Sequence, residues 1–167
     1  MFFKEGRYMI FVTVGTQKFP FDRLLKMVDI AVGTNSFPDS VYAQIGTGKY
    51  VPRNYGYTDF CSNDIFVKMI EDCDLIITHS GVGTIMKGLE KNKPVIVVPR
   101  LAKYGEHVDD HQVQLAKSFA EKNYVFMYNE GDSISELIKK AKIHRFERYF
   151  SQRDKLLKVL DDFINSI

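Results

Sequence analysis

Apolar positions along the chain follow two rhythms. YMIFVTV at 8–14, DLIIT at 74–78 and PVIVVP at 94–99 are almost continuously apolar, and between them apolar residues recur every three or four positions. A continuous run suits a parallel strand, because helices cover both its faces. After the first run and Gly15, the positions Phe21, Leu24, Leu25, Val28 and Val32 keep helical spacing, so a strand, a turn and a helix are predicted. SVYAQI at 40–45 predicts a second strand, and 54–60 a short third one interrupted by Gly56. Ser62 is placed to cap a helix over 65–73, and a further helix follows DLIIT and runs through Lys91. Residues 113–122 predict a helix and 124–127 a short strand, and Ser133 with Glu136 makes a capping box before another helix. The order predicts an α/β fold, a Rossmann-like, doubly wound parallel sheet. The chain reads as a single domain, 1–167. Its segment 145–167 is expected to be helical, with Phe146, Phe150, Leu157, Leu160, Ile164 and Ile167 near 3.5-residue steps and Arg153 as the polar interruption.

Composition narrows the function classes. With 167 residues and 45% hydrophobic content there is enough chain for one sizeable core. A formal net charge of +2, without a Lys/Arg block, argues against nucleic acid as a partner. Cys61 and Cys73 form no CxxC pair, so neither a zinc knuckle nor a disulfide scaffold is indicated, and a cytoplasmic location is expected. No stretch reaches the roughly 18 apolar residues of a membrane span.

In doubly wound sheets ligands bind beyond the carboxyl ends of the strands, where loops run into helix N-termini. Two glycine-bearing loops have that position, VGTQKFP at 14–20 and HSGVGT at 79–84, and both are expected to face one crevice. Gly81 and Gly83 allow the backbone close to a ligand, while Ser80 and Thr84 can cap the helix or donate to an anion held by its free N–H groups. A purely structural reading, glycines for a tight turn and Ser80 as cap, stays open here. Sharper motifs are absent: Met86 stands where GxxxxGK[ST] and GxGxxG need glycine, and there is no GxSxG. His107 and His111 are four apart, a spacing that can bind metal, but without HExxH order, and no metal site is expected.

HSGVGTIMKGLEKNKPVIVVP, with FVTVGTQKFPFDRLL before it and DDHQVQLAKSF after it, resembles the donor-binding half of glycosyltransferase family 28. Most similar within it are the small catalytic subunits of two-part bacterial capsule and exopolysaccharide glycosyltransferases, and of the dolichol-linked UDP-N-acetylglucosamine transferase. The resemblance implies the C-terminal half of a GT-B fold. It implies a UDP-sugar glycosyltransferase subunit that transfers a hexose to a lipid-linked saccharide acceptor, inverting the anomeric centre by direct displacement. Its partner would be a membrane-anchored, acceptor-binding subunit that holds this chain peripherally on the inner face of the membrane. No cofactor or metal is implied. The alternative is a non-catalytic nucleotide-sugar-binding accessory or sensor protein.

Carried to individual positions, the resemblance makes Gly15 and Thr16 the first diphosphate loop and Ser80, Gly81, Gly83 and Thr84 the second, with His79 beside it. Phe60 and Cys61 match the uracil contact, and Asp110, His111 and Gln112 the segment that addresses sugar hydroxyls. The general base is expected on the partner, with His79 and His111 as weaker candidates in this chain. One position departs from the pattern. Where relatives commonly carry an acid toward the ribose hydroxyls, this chain has Lys87, which only donates, so Glu90 one turn on is expected to reach in instead.

Overall fold

The computed structural model describes residues 8–37 and 39–150. The chain runs through β1 (Met9–Thr13), α1 (Asp22–Gly33), β2 (Ser40–Gln44), β3 (Gly56–Thr58), α2 (Asn63–Asp72), β4 (Leu75–Thr78), α3 (Val82–Glu90) and β5 (Val95–Val97). A 3-10 turn (Ala102–Tyr104), α4 (His111–Glu121), β6 (Phe126–Met127) and α5 (Ile134–Ile143) follow. The strands form one sheet in the order β3-β2-β1-β4-β5-β6, and every pairing is parallel. The expected doubly wound architecture is therefore present.

Both faces of the sheet are covered, which is why its strands read as continuous apolar runs. From β1, Ile10 and Val12 join one core with Leu24, Leu25 and Val28 of α1 and Ile134, Ile138 and Ala141 of α5. Met9 and Phe11 join the other core with Met69 and Ile70 of α2, Ile85 and Leu89 of α3 and Ala116 of α4. Burial of one such side chain stabilises by about 1.5–3 kcal/mol, so the alternation along β1 fixes its register firmly.

Helix starts follow local chemistry. Ser62 caps α2, its hydroxyl accepting from the Ile65 N–H at 3.4 Å. Ser133 caps α5 the same way through Glu136 N–H, also at 3.4 Å. The Glu136 carboxylate accepts from Lys139 Nζ at 2.8 Å, so its side chain is engaged within its own helix. The β2–β3 crossover has no helix and is tied to α1 by buried Asp29, which accepts from Tyr50 Oη at 2.6 Å and the Asn54 N–H at 2.8 Å. Burial raises the Asp29 pKa, but these hydrogen bonds outweigh it and leave it below the usual range.

After α5, residues 144–150 run without helix. Asn123, at φ +56°, holds this stretch through Nδ2 to Arg145 O (3.1 Å) and its own carbonyl to Glu147 N–H (2.9 Å). Phe146 packs edge-on against Phe126 and Tyr149 against Tyr124, while Phe150 is exposed. The remaining positions of the expected C-terminal stripe, Arg153, Leu157, Leu160, Ile164 and Ile167, lie outside the described residues.

From β1 the chain moves outward to β2 and β3, then returns through α2 to β4 on the other side of β1. The sheet thus has its topological switch point between β1 and β4, where the carboxyl ends of neighbouring strands diverge and a crevice opens.

Candidate functional site

A cleft of about 440 Å³ lies at this switch point, lined by residues of both glycine loops, of β2 and of α2 and α3. Gly15, Thr16 and Gln17 form one wall and His79, Gly81, Gly83, Thr84 and Lys87 the opposite one. The two loops face one crevice, as the sequence predicts. Helix α3 starts at the cleft with Gly81 as N-cap and no side-chain cap; Ser80, a candidate cap, does not serve. Thr84 N–H and Ile85 N–H both donate to Gly81 O at 3.1 Å, which leaves the N–H groups of Val82 and Gly83 without an intrahelical acceptor. Those groups and the helix dipole favour an anion here.

His79 is the wedge between the loops. A Cβ on Gly15 would lie 2.4 Å from His79 Nε2, and one on Gly81 2.2 Å from Cε1. Gly15 also has φ +75°, a conformation that L side chains rarely adopt. Both glycines therefore make room for the imidazole. Gly83 differs, since a Cβ there would meet nothing within 4 Å. Its bare backbone faces the cleft for a reason that the protein's own packing does not supply.

Burial, and then the charge of Arg100, push the His79 pKa down to about 4, so the ring is neutral at pH 7. Its Nδ1 and the Ser80 Oγ are buried without a hydrogen-bond partner among the described residues. Unpaired buried polar atoms are rare, and two of them on consecutive residues beside one cleft mark it as a place for a ligand.

The other candidates separate. Cys61 lines the cleft, whereas Phe60 lies outside the lining and is half exposed. Burial pushes the Cys61 thiol above its ordinary range, so it stays protonated. Gln112, buried at the start of α4, uses its Oε1 to accept from Ser80 N–H at 3.3 Å and Arg100 N–H at 3.2 Å. Asp110 is the N-cap residue of α4 and accepts from Ala102 N–H at 2.9 Å, and His111 is exposed; none of Asp110, His111 and Gln112 lines the cleft. Asp109 Oδ1 lies 3.1 Å from His107 Nδ1 and 3.9 Å from His111 Nδ1. Among the described residues no group of three or more His, Cys, Asp or Glu is placed to hold a metal ion. Glu90 is the last residue of α3, exposed and away from the lining. Lys87 does line it, donates to Asn63 Oδ1 at 2.8 Å and sits 5.2 Å from the Phe66 ring centroid.

Gln17, Gln44, Asn63 and Phe66 also line the cleft and were not among the sequence candidates. Gln44 ends β2, a polar residue closing an apolar run beside β1, and that is the signal it offers. Its Oε1 accepts from Thr13 Oγ1 at 2.6 Å. The lining contains no Asp or Glu, so its charge comes from Lys87 and the α3 terminus. Such a cleft can hold a polyanion. It has no carboxylate with which to deprotonate a nucleophile.

The model of the glycosyltransferase family 28 C-terminal domain matches residues 9–162. The chain belongs to this family. Its fold is the Rossmann-like half found in GT-B glycosyltransferases. Among sequence relatives of the family 28 chain, the UDP-N-acetylglucosamine transferase subunit ALG13 of Homo sapiens is 31% identical over 126 residues, 70% of this chain and 11% of the human protein. The UDP-N-acetylglucosamine--N-acetylmuramyl-(pentapeptide) pyrophosphoryl-undecaprenol N-acetylglucosamine transferase of Prochlorococcus marinus (strain MIT 9215) is 30% identical over 103 residues, 62% of this chain and 26% of that one. This family 28 chain thus spans a small part of each of these relatives. The NMR structure of ALG13 superposes with a TM-score of 0.58 at 21% identity, covering 92% of this chain and 94% of that one, a likeness of fold. No helix among the described residues is long and apolar enough to cross a membrane.

Proposed function

We propose that the cleft binds a UDP-sugar of the UDP-N-acetylglucosamine class. In this reading the chain is the donor-binding subunit of an inverting glycosyltransferase that acts on a lipid-linked saccharide acceptor in polysaccharide biosynthesis. The observation that carries the reading is the convergence of two backbone-rich loops and a neutral His79 on one cleft free of carboxylates. The diphosphate would lie across the free N–H groups of Val82 and Gly83, with the Thr84 hydroxyl beside it, and uracil near Cys61. Those N–H groups stabilise the charge that grows on the leaving UDP as the glycosidic bond breaks. Gln112 has its carbonyl engaged, so its amide NH2 is what it can offer a sugar hydroxyl.

A general base for the acceptor hydroxyl needs a pKa nearer neutrality than His79 has. The base is therefore assigned to a partner subunit that is membrane-anchored and binds the acceptor, and that keeps this chain peripheral on the inner membrane face. The names of the relatives support this: ALG13 is called a subunit, and the Prochlorococcus protein a transferase to a pyrophosphoryl-undecaprenol acceptor.

Calorimetric titration with UDP and a panel of UDP-sugars tests the donor. UDP-N-acetylglucosamine is expected to bind best, and absence of uridine nucleotide binding would overturn the reading. Turnover on a lipid-linked acceptor is expected when the membrane subunit is added and not without it. Full activity of the isolated chain would refute the split enzyme, and binding without turnover beside any partner would indicate an accessory or sensor role.

A further inference from the structure

Among the described residues Arg100, just beyond β5, is the largest side chain with no exposed surface, yet none of its hydrogen bonds goes to a carboxylate. Nη2 donates to Val14 O at 2.7 Å; Nη1 donates to Phe19 O at 2.8 Å, Glu106 O at 3.1 Å and Pro20 O at 3.2 Å. Three of these four carbonyls belong to the loop that carries Gly15, Thr16 and Gln17 into the cleft. The guanidinium also lies 4.7 Å from the centroid of Phe21, the residue that leads that loop into α1.

The main chain of Arg100 reaches the other loop. Its N–H and the N–H of Ser80 share Gln112 Oε1 as acceptor, so a single amide oxygen ties residue 100 to the approach of α3. Both walls of the cleft thus hang on one residue, the first through its side chain and the second through its backbone.

The local charge is unbalanced. The Glu106 carboxylate is gripped by Arg23 Nε and Nη2, each at 2.8 Å, and by Leu101 N–H at 3.0 Å. Arg100 therefore has no carboxylate hydrogen-bonded to it among the described residues, and the lining of the cleft offers none either. An isolated charge is costly to bury, and the cost is lowered if an anion arrives to complete the pairing.

We propose that Arg100 is a positioning residue and a buried counter-charge, which holds the two loops at diphosphate spacing and makes the cleft select phosphorylated over unphosphorylated nucleoside. This rests on the donor-binding reading of the cleft. Burial pulls the Arg100 pKa down to about 10, so the side chain remains cationic at pH 7. The charge is also felt at His79, the wedge between the loops, which faces Arg100, His107 and Gln112.

The test compares the full chain with Arg100→Lys and Arg100→Met, titrated with UDP and with uridine by NMR, while the His79 ring signals are followed against pH. Arg100→Met is expected to lose UDP affinity at least tenfold and uridine affinity less than twofold, with the His79 midpoint moving up from about 4. Folded Arg100→Met that binds UDP within twofold of the parent, or loses UDP and uridine alike, would overturn the proposal. If Arg100→Met does not fold, Arg100→Lys decides. It keeps the charge and loses the planar fork, so UDP affinity should fall three- to tenfold while His79 stays neutral above pH 5, and parental affinity would refute the positioning role. A parent chain that binds no UDP would count against the donor reading instead, and the His79 midpoint in Arg100→Met would still decide whether Arg100 charges the cleft.

Discussion

Gly81 and Gly83 stand two residues apart at the start of α3, and the structure predicts opposite outcomes for the same substitution at each. Gly83→Ala meets no atom within 4 Å, so the methyl fits the folded chain. Replacing a helical glycine by alanine stabilises by up to about 1 kcal/mol, which in a chain of this size raises Tm by roughly 2–4 °C. The methyl nevertheless stands in the cleft beside the free N–H groups of Val82 and Gly83. A hydrogen bond from such a group to a charged oxygen contributes about 1.5–3 kcal/mol, so shielding one should weaken UDP binding some ten- to a hundredfold. Gly81→Ala instead brings a Cβ to 2.2 Å from His79 Cε1, so the buried ring has to shift from its place against both loops. Overpacking of this kind costs about 1–3 kcal/mol, and Tm should fall. Thermal melts and UDP calorimetry on both variants form the assay. If Gly83→Ala binds UDP like the parent, the diphosphate does not cross the α3 terminus. If Gly81→Ala melts with the parent, the account of His79 as a wedge is wrong.

Lys87→Ala should weaken UDP binding about fivefold at low salt and less at high salt, because an exposed charge on the cleft wall is screened, whereas Glu90→Ala should leave affinity unchanged. The reverse order would return Glu90 to the site. For His79 the folded pKa of about 4 lies below the ordinary value of 6.5, so the fold holds the neutral ring while the unfolded chain takes up the proton. Its contribution, about 3 kcal/mol, is complete above pH 6.5 and is lost as pH falls toward 4. Denaturant titrations at stepped pH should show this loss in the parent and not in His79→Gln, and equal slopes would refute it.

The sheet was legible because a parallel strand covered on both sides leaves an unmistakable trace: DLIIT and PVIVVP allow almost no polar position, and helices must cover them. Boundaries were less legible. The third strand was expected over 54–60 and pairs over Gly56–Thr58, since pairing with β2 sets its limits and local propensity does not. The helix expected from 113 begins at His111 with Asp110 as its N-cap residue, although Asp110 makes no side-chain cap bond to it. Residues 144–150 carry an apolar pattern near helical period, yet phenylalanine and tyrosine there pack on Phe126 and Tyr124 from a non-helical backbone held by Asn123. Periodicity reports which side chains must be buried, and an aromatic strap laid against a sheet edge can bury them as well as a helix does.

The candidate site divides along a different line. Glycine, serine and threonine at a strand-to-helix turn announce themselves, because the φ values and free N–H groups they manage are local. What a glycine makes room for is not local. Gly15 and Gly81 read in sequence like ligand-facing residues, and both accommodate His79. Gly83 reads the same way, and of the three it alone has no protein atom within 4 Å of an added Cβ. Gln112 looked like a hydroxyl binder because its amide both donates and accepts, but a donor 32 residues away and another 12 away have taken the accepting half. Arg100 left no trace at all. It sits 86 residues from Val14, whose carbonyl it holds, and arginine after an apolar run normally marks a strand emerging into water. Only the fold, by bringing three carbonyls of the first loop around that guanidinium, turns an ordinary surface residue type into the buried charge beneath an acid-free cleft. The same logic predicts where sequence reading will fail in other chains of this architecture. Groups that touch the ligand sit in recognisable turns, and groups that hold those turns apart sit wherever the sheet happens to bring them.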